Sequence, residues 1–81
     1  MTFNEMKKII HDENLLNFNI FNEHPVREHE IVIERRELEY IVFTTDERLV
    51  HISEKSYNNE SSAYSDFINR LRGDKEYRQL F

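Results

Sequence analysis

The chain has 81 residues, one glycine, one proline and no cysteine, and its formal net charge is -5. This length predicts one domain, residues 1–81, with a small core, because so short a chain buries only about 60–65% of its unfolded surface. The lack of cysteine excludes disulfides and thiol chemistry, and no apolar run approaches the roughly 18 residues that span a bilayer. No basic segment followed by an apolar one opens the chain, so we expect no signal peptide and a cytoplasmic location.

The N-terminal segment predicts a helix over residues 3–13. Thr2 and Glu5 have the spacing of a capping box, in which each side chain binds the backbone amide of the other residue. Apolar residues then recur at helical spacing. They are Phe3, Met6, Ile9 and Ile10.

The segment after this helix leaves two interpretations open. Apolar residues alternate with asparagines over 16–20, which is the period of a strand, so residues 16–21 form either a fourth short strand or a loop. A turn is predicted at 22–25, because Pro25 stops any regular element there.

Three central segments, rich in β-branched and aromatic residues, predict a three-stranded antiparallel meander. The predicted strands are 28–35, 38–45 and 48–55, and the turns are centred on Arg36-Glu37 and Asp46-Glu47. The C-terminal segment predicts a helix that follows an asparagine N-cap at position 58 or 59. Gly73 suits the left-handed residue that ends such a helix, and a further helical turn over 75–80 is left open. The predicted fold class is therefore α+β, with an N-terminal and a C-terminal helix on one face of the sheet.

The two faces of the predicted sheet differ in character. The first is the more purely apolar and carries Val32, Ile41, Phe43, Val50 and Ile52. We expect the helices to cover this first face. The second face carries Ile31, Ile33, Leu38, Tyr40, Val42 and Leu49, together with His29, Thr44, His51 and Ser53. Its mixed character makes it a candidate partner surface, unless the N-terminal helix or the 16–20 segment covers part of it.

A row of three glutamates is predicted at one end of the first face, with Glu34 opposite Glu39 and Glu39 opposite Glu54. Like charges opposite each other destabilise a sheet. Either a nearby base neutralises the row, or it is retained because something basic binds it. The candidate bases are Arg35, Arg36 and Lys55.

The negative charge is concentrated in the middle of the chain. Residues 28–60 hold nine acids and four bases, a balance of -5, whereas the segments on either side nearly cancel. An acidic surface repels phosphate, so direct nucleic-acid binding is disfavoured. It attracts a basic protein and speeds the encounter, or it serves solubility alone.

The motifs of catalysis and of cofactor binding are absent from the sequence. The single glycine cannot form a phosphate-binding loop, the histidines lack metal-ligand spacing, and the serines have no nucleophile motif. We therefore expect no enzyme, no cofactor and no metal site.

The stretch IVFTTDERLVHISEKSYNNESSAYSDFINRLR resembles the small immunity proteins of bacterial polymorphic toxin systems. The resemblance covers roughly residues 28–72. It is carried by an acidic turn between strands, Thr45-Asp46-Glu47-Arg48, and by Asp66-Phe67-x-x-x-Leu71 on the following helix. It implies a cytoplasmic inhibitor that binds one toxin domain and blocks its active site or substrate groove.

A basic toxin, for which a nuclease is one candidate, is the partner that this resemblance and the acidic charge suggest together. The aromatic anchor of such a complex is predicted to be Tyr40, with His51 beside it. The predicted partner-binding residues are Glu34, Glu39, Tyr40, Asp46, Glu47, His51 and Glu54. The chain itself is expected to be a monomer or a weak homodimer.

Three other functions remain open from the sequence. The chain could be a non-catalytic adaptor or regulatory subunit that binds a partner other than a toxin. It could instead be a mimic of DNA that inhibits a DNA-processing enzyme, although a stronger acidic balance than -5 is typical of such mimics. A homodimer formed through edge strands or the exposed sheet face could coexist with any of these functions.

Overall fold

The computed structural model describes residues 1–80, so the last residue of the predicted domain, Phe81, lies outside the described residues. The elements are α1 (Phe3–Asp12), β1 (Phe18–Ile20), β2 (Ile31–Arg36), β3 (Glu39–Thr45), β4 (His51–Tyr57) and α2 (Glu60–Gln79). The sheet has the order β1-β2-β3-β4, with β1 parallel to β2 and the other neighbours antiparallel. The α+β fold and its antiparallel meander are confirmed, and the segment left open forms a short strand.

Both helices begin at the caps that the sequence indicates. The Glu5 amide donates to Thr2 Oγ1 at 3.2 Å and the Thr2 amide donates to Glu5 Oε1 at 3.0 Å, which completes the capping box. Asn59 caps α2, since its Oδ1 accepts from the Ser62 amide at 2.9 Å. These bonds satisfy amides that a helix start otherwise leaves without a partner.

The predicted end of α2 at Gly73 is wrong. The helix continues to Gln79, and Gly73 does not adopt a positive φ. Arg72 donates from Nε to Glu13 Oε1 at 2.9 Å, and Lys75 donates to the Glu13 carbonyl oxygen. Contacts with the end of α1 therefore hold α2 in place on both sides of the glycine. They outweigh the cost of about 1 kcal/mol that glycine carries inside a helix relative to alanine.

The helices lie on the face of the sheet opposite to the predicted one. The covered face carries Ile31, Ile33 and Val42, which form one core with α1 and α2. The helical members of this core are Met6, Ile10, Ala63, Tyr64, Phe67, Ile68 and Leu71. The prediction compared the apolar content of two faces, but it assigned Val50 and Ile52 to the wrong register.

The face of the sheet opposite the helices is covered by a different segment of the chain. We call residues 21–30, which connect β1 to β2, the strap. Val26 of the strap packs against Val32, Ile41 and Phe43, which are at most 4% exposed. Because the strap shields this second apolar cluster, the helices can cover the other face without leaving the cluster in water.

The registers of both hairpins differ from the predicted ones. Arg36 pairs with Glu39, so the first turn consists of residues 37–38, and Glu37 has a φ of 55°. In the second hairpin Thr45 pairs with His51, which leaves a five-residue connection, and a bulge interrupts the β3–β4 ladder. Because the registers differ, the observed strands begin and end at other residues than the predicted ones.

Candidate partner-binding surface

The sheet face opposite the helices, which we call the outer sheet face, carries a line of polar contacts. Arg36 donates from Nε to Glu34 Oε1 at 3.1 Å, and Arg36 Nη2 lies 3.4 Å from Glu54 Oε1. The same Glu54 oxygen lies 3.0 Å from His51 Nδ1. One arginine and one histidine thus link two of the predicted glutamates across three strands.

These contacts shift the pKa values of the side chains in the line. The hydrogen bond with His51, together with the charge of Arg36, holds the pKa of Glu54 below its ordinary value despite some desolvation. The pKa of Arg36 is raised, mainly by its hydrogen bond with Glu34. Both side chains remain charged at neutral pH, so Arg36 neutralises part of the line, as one of the sequence alternatives held.

The predicted glutamate row is wrong in its register. Glu34 pairs with Ile41 rather than with Glu39, and Glu39 pairs with Arg36 at the hairpin end. Glu39 is exposed, and none of residues 1–80 provides its carboxylate with a hydrogen bond or an ion pair. It is therefore the carboxylate of this row that is most available to a partner.

His51 has a fixed orientation on the outer sheet face. Its ring stacks on Phe43 with 3.7 Å between the centroids and 14° between the planes. Glu54 holds the Nδ1 side of the same ring. The stacked ring extends the cover of the apolar cluster beyond the strap, with about two fifths of the His51 side chain still exposed.

Asp46 and Glu47 lie at the far end of the sheet, in the turn between β3 and β4. Asp46 Oδ1 accepts from the Arg48 amide at 2.8 Å and from the Val50 amide at 2.9 Å, so it stabilises the turn. Glu47 is exposed at the tip. Glu39 lies at the opposite end of the seven-residue strand β3, roughly 20 Å from this tip.

Tyr40 does not lie beside His51. Its ring packs toward the helices, at 6.0 Å from the Tyr64 ring in a T-shaped arrangement. His51 stacks on Phe43 across the sheet, so the predicted pairing of these two residues is wrong. The cause is the alternation of side chains along β3, which places Tyr40 and Phe43 on opposite faces.

The strap contains a buried polar network that the sequence analysis missed. Glu30 is 1% exposed, and its Oε2 lies 2.6 Å from His24 Nε2. Its other oxygen accepts from Asn19 Nδ2 at 3.1 Å and from the Arg27 amide at 3.2 Å. Thr45 Oγ1 in turn accepts from the Glu30 amide at 2.9 Å. One of the nine acids in residues 28–60 thus fixes the strap and is not displayed to a partner.

The geometry defines a small α+β domain with a polar outer sheet face. Among residues 1–80, no group of three histidine, aspartate or glutamate side chains is arranged to hold a metal ion. In the same range, no helix has the length and apolar character required to cross a membrane.

The family of this chain follows from comparison with known sequences. The model of the family described as Immunity protein 59 matches residues 3–78. The chain therefore belongs to this family, and the match extends the resemblance to α1 and β1. Comparison with curated proteins and with solved structures gives no match. Membership of an immunity protein family indicates a role in neutralising a toxin, and such families are generally non-catalytic.

Proposed function

We propose that this protein binds a basic toxin domain in the cytoplasm of the producing cell and occludes its active site. The family match over residues 3–78 carries this proposal. The acidic outer sheet face supports the finer part of it, because a negative surface attracts and orients a positively charged partner. A nuclease is the toxin class that fits best, since its substrate groove is positively charged to hold phosphates.

The two ends of the outer sheet face make different contributions to this contact. At the β2–β3 end, Glu39 presents a free carboxylate beside the line formed by Glu34, Arg36 and Glu54. At the β3–β4 end, Glu47 is exposed next to a rigid turn. We infer that both ends contact the toxin, because a groove that holds several phosphates is long enough to span them.

Apolar anchors for a tight complex are available at the β3–β4 end. Leu49 and Val50 follow the acidic turn and are 47% and 53% exposed. Interfaces derive most of their affinity from a few apolar or aromatic side chains within a polar rim. These two exposed side chains take the anchoring role that the sequence analysis gave to Tyr40.

The proposal is tested by recovering the toxin and assaying its activity. The tagged chain is purified from its native cells, and the proteins bound to it are identified by mass spectrometry. The toxic domain of the recovered protein is then assayed with increasing amounts of the chain and of substrate. Stoichiometric inhibition that excess substrate relieves supports occlusion of the active site. Inhibition that substrate leaves unchanged contradicts occlusion, and recovery of a non-toxic partner favours the adaptor function.

A further inference from the structure

Four aromatic rings form a closed cycle at the side of the sheet away from the outer sheet face. Phe3 lies 6.0 Å from Phe21, which lies 6.4 Å from Tyr40. Tyr40 lies 6.0 Å from Tyr64, and Tyr64 lies 6.3 Å from Phe3. Phe3 and Phe21 are each 37% exposed, so the cycle reaches the surface where α1, α2, β3 and the strap meet.

The guanidinium of Arg35 lies over this aromatic cycle. Its carbon is 4.7 Å from the Tyr40 ring centroid, and Nη1 donates to the Tyr40 hydroxyl oxygen at 2.8 Å. No carboxylate of residues 1–80 lies within 4.0 Å of it, although the protein has an excess of acids. Four of the other six arginines bind carboxylates, and they are Arg36, Arg70, Arg72 and Arg78.

Arg35 is therefore oriented by an aromatic ring and retains donors for an external acceptor. Of its five N–H groups, the contact with Tyr40 uses one. A planar guanidinium with this freedom suits a carboxylate, which it can bind through two parallel hydrogen bonds. Burial, together with the charge of the Glu60 carboxylate, raises the pKa of the Tyr64 hydroxyl to about 12, so this neighbouring group stays neutral.

The wall of the cleft is held in an unfavourable backbone conformation. Phe21 and Asn22 have φ angles of 50° and 58°, a region that bulky residues rarely adopt. The Phe21 amide donates to the Ile33 carbonyl at 2.9 Å, which fixes this start of the strap against β2. Strained backbone persists where its surroundings determine it, and it is often found at ligand-binding sites.

We propose that this cleft receives an acidic side chain from a loop of the toxin domain, with an adjoining apolar residue packed on the aromatic rings. The cleft has a volume of about 470 Å³ and is lined by Phe21, Asn22, Arg35, Tyr40 and Tyr64. The charge of Arg35 selects a carboxylate, and aromatic residues beside an arginine are typical of the sites that dominate protein interfaces. This inference rests on the proposed function and adds a second contact to it.

The cleft carries a positive charge, whereas the outer sheet face, which makes the first proposed contact, carries a negative charge. The outer sheet face attracts basic proteins in general, because long-range attraction does not depend on detailed shape. A cationic aromatic cleft accepts only a partner that also presents an acid at the right distance. A toxin that lacks the acid buries the cationic group of the cleft without a partner, which is unfavourable and weakens its binding. Specificity between toxins then arises from this difference in affinity.

The direct test uses N-acetyl-glutamyl-phenylalanine amide and its glutamine analogue. Each is titrated into the ¹⁵N-labelled protein, and the amide chemical shifts are followed. We expect saturable shifts at Phe21, Asn22 and Arg35, with the glutamine analogue about tenfold weaker, because a charged acceptor forms the stronger hydrogen bond. Arg35→Gln should remove the preference for the glutamyl peptide. Arg36→Gln, on the opposite face of the same strand, should retain it.

The proposal is overturned if no saturable shift occurs at the cleft, or if both peptides bind equally well. A second arm uses the toxin domain recovered with the tagged chain. Failure of the wild-type chain to neutralise this domain contradicts the proposed function, whatever the peptides do. Neutralisation that Arg35→Gln leaves unchanged in affinity contradicts the cleft proposal alone. A loss of at least tenfold in affinity with Arg35→Gln, but not with Lys7→Gln on the exposed side of α1, supports it.

Discussion

Arg36 Nη2 lies 3.4 Å from Glu54 Oε1, across the strand that separates β2 from β4. Because Arg36 also binds Glu34, one guanidinium sets the net charge of the β2–β3 end of the outer sheet face. The proposed attraction of a basic toxin therefore depends on how much of the carboxylate charge this arginine leaves unbalanced.

Replacing Arg36 with glutamine should speed association with a basic toxin. The change leaves Glu34 and Glu54 without their cation and makes the outer sheet face more negative. At low salt we expect the association rate to rise about twofold to fivefold. Stopped-flow measurement of the association rate at several salt concentrations tests this, and a rate that falls contradicts the electrostatic account.

The combined change Glu39→Lys and Glu54→Lys should act in the opposite direction. It reverses the charge of two carboxylates on the outer sheet face, so association should slow about tenfold and depend less on salt. Glu39→Lys alone should show the same effect in part. Glu76→Lys, an exposed position on α2, makes the same change of charge away from this face and serves as its matched control. Equal association rates for Glu39→Lys and Glu76→Lys would contradict the proposed role of the outer sheet face.

Replacing Gly73 with alanine should stabilise the protein. Gly73 lies inside α2 without a positive φ, and an added Cβ would meet no heavy atom within 4 Å. Alanine loses less backbone entropy in a helix, so the free energy of unfolding should increase by about 0.5–1 kcal/mol. Urea denaturation followed by circular dichroism measures this increase. A decrease would show that the helix does not continue through this position in solution.

Acid should destabilise the protein partly through Asp66. Burial raises the pKa of Asp66, but hydrogen bonds from Arg70 and Tyr57 outweigh it and leave the pKa below its ordinary value. A lowered pKa in the folded state gives stability that is present above the unfolded pKa, about 3.9, and is lost as the pH falls through the folded value. Between about pH 4 and pH 2, Asp66→Asn should therefore lose stability less steeply than the wild type.

The control for this pH dependence is Glu76→Gln, which removes an exposed carboxylate from the same helix. It should retain the wild-type slope of unfolding free energy against pH. Parallel slopes for the wild type and Asp66→Asn would contradict the contribution assigned to the contacts of Asp66 with Tyr57 and Arg70.

Local signals predicted the elements well, because their causes lie within a few residues. The capping box of Thr2 and Glu5 depends on neighbours in sequence, and so does the cap that Asn59 provides. Gly73 misled the prediction because the contacts that carry α2 past it come from Glu13, which is distant in the chain.

The faces of the sheet could not be predicted from the same local signals. The side of the helices depends on the strap, whose Val26 covers the second apolar cluster, and on the Glu30 network that fixes the strap. The register of β4 depends on how Asp46 organises its turn and on a bulge. Neither feature has a sequence pattern that distinguishes it from an ordinary polar loop.

The candidate site was predicted in part for the same reason. Glu34, Glu54 and His51 are brought together, but through Arg36 and the bulge rather than through the expected pairing. Tyr40 lies on the other face, in the aromatic cycle with Tyr64. Neighbouring side chains along a strand point to opposite faces. The surface with His51 and the surface with Tyr40 can therefore be told apart only when the register of the strands is known.

The central claim is that this protein neutralises a toxin by binding it, and survival of cells tests it most directly. The toxic domain recovered with the tagged chain is produced in sensitive cells, with the chain or with an unrelated acidic protein of similar size. Viable counts should recover with the chain and stay low with the control. Equal killing in both cases, with both proteins produced, would contradict the assigned role.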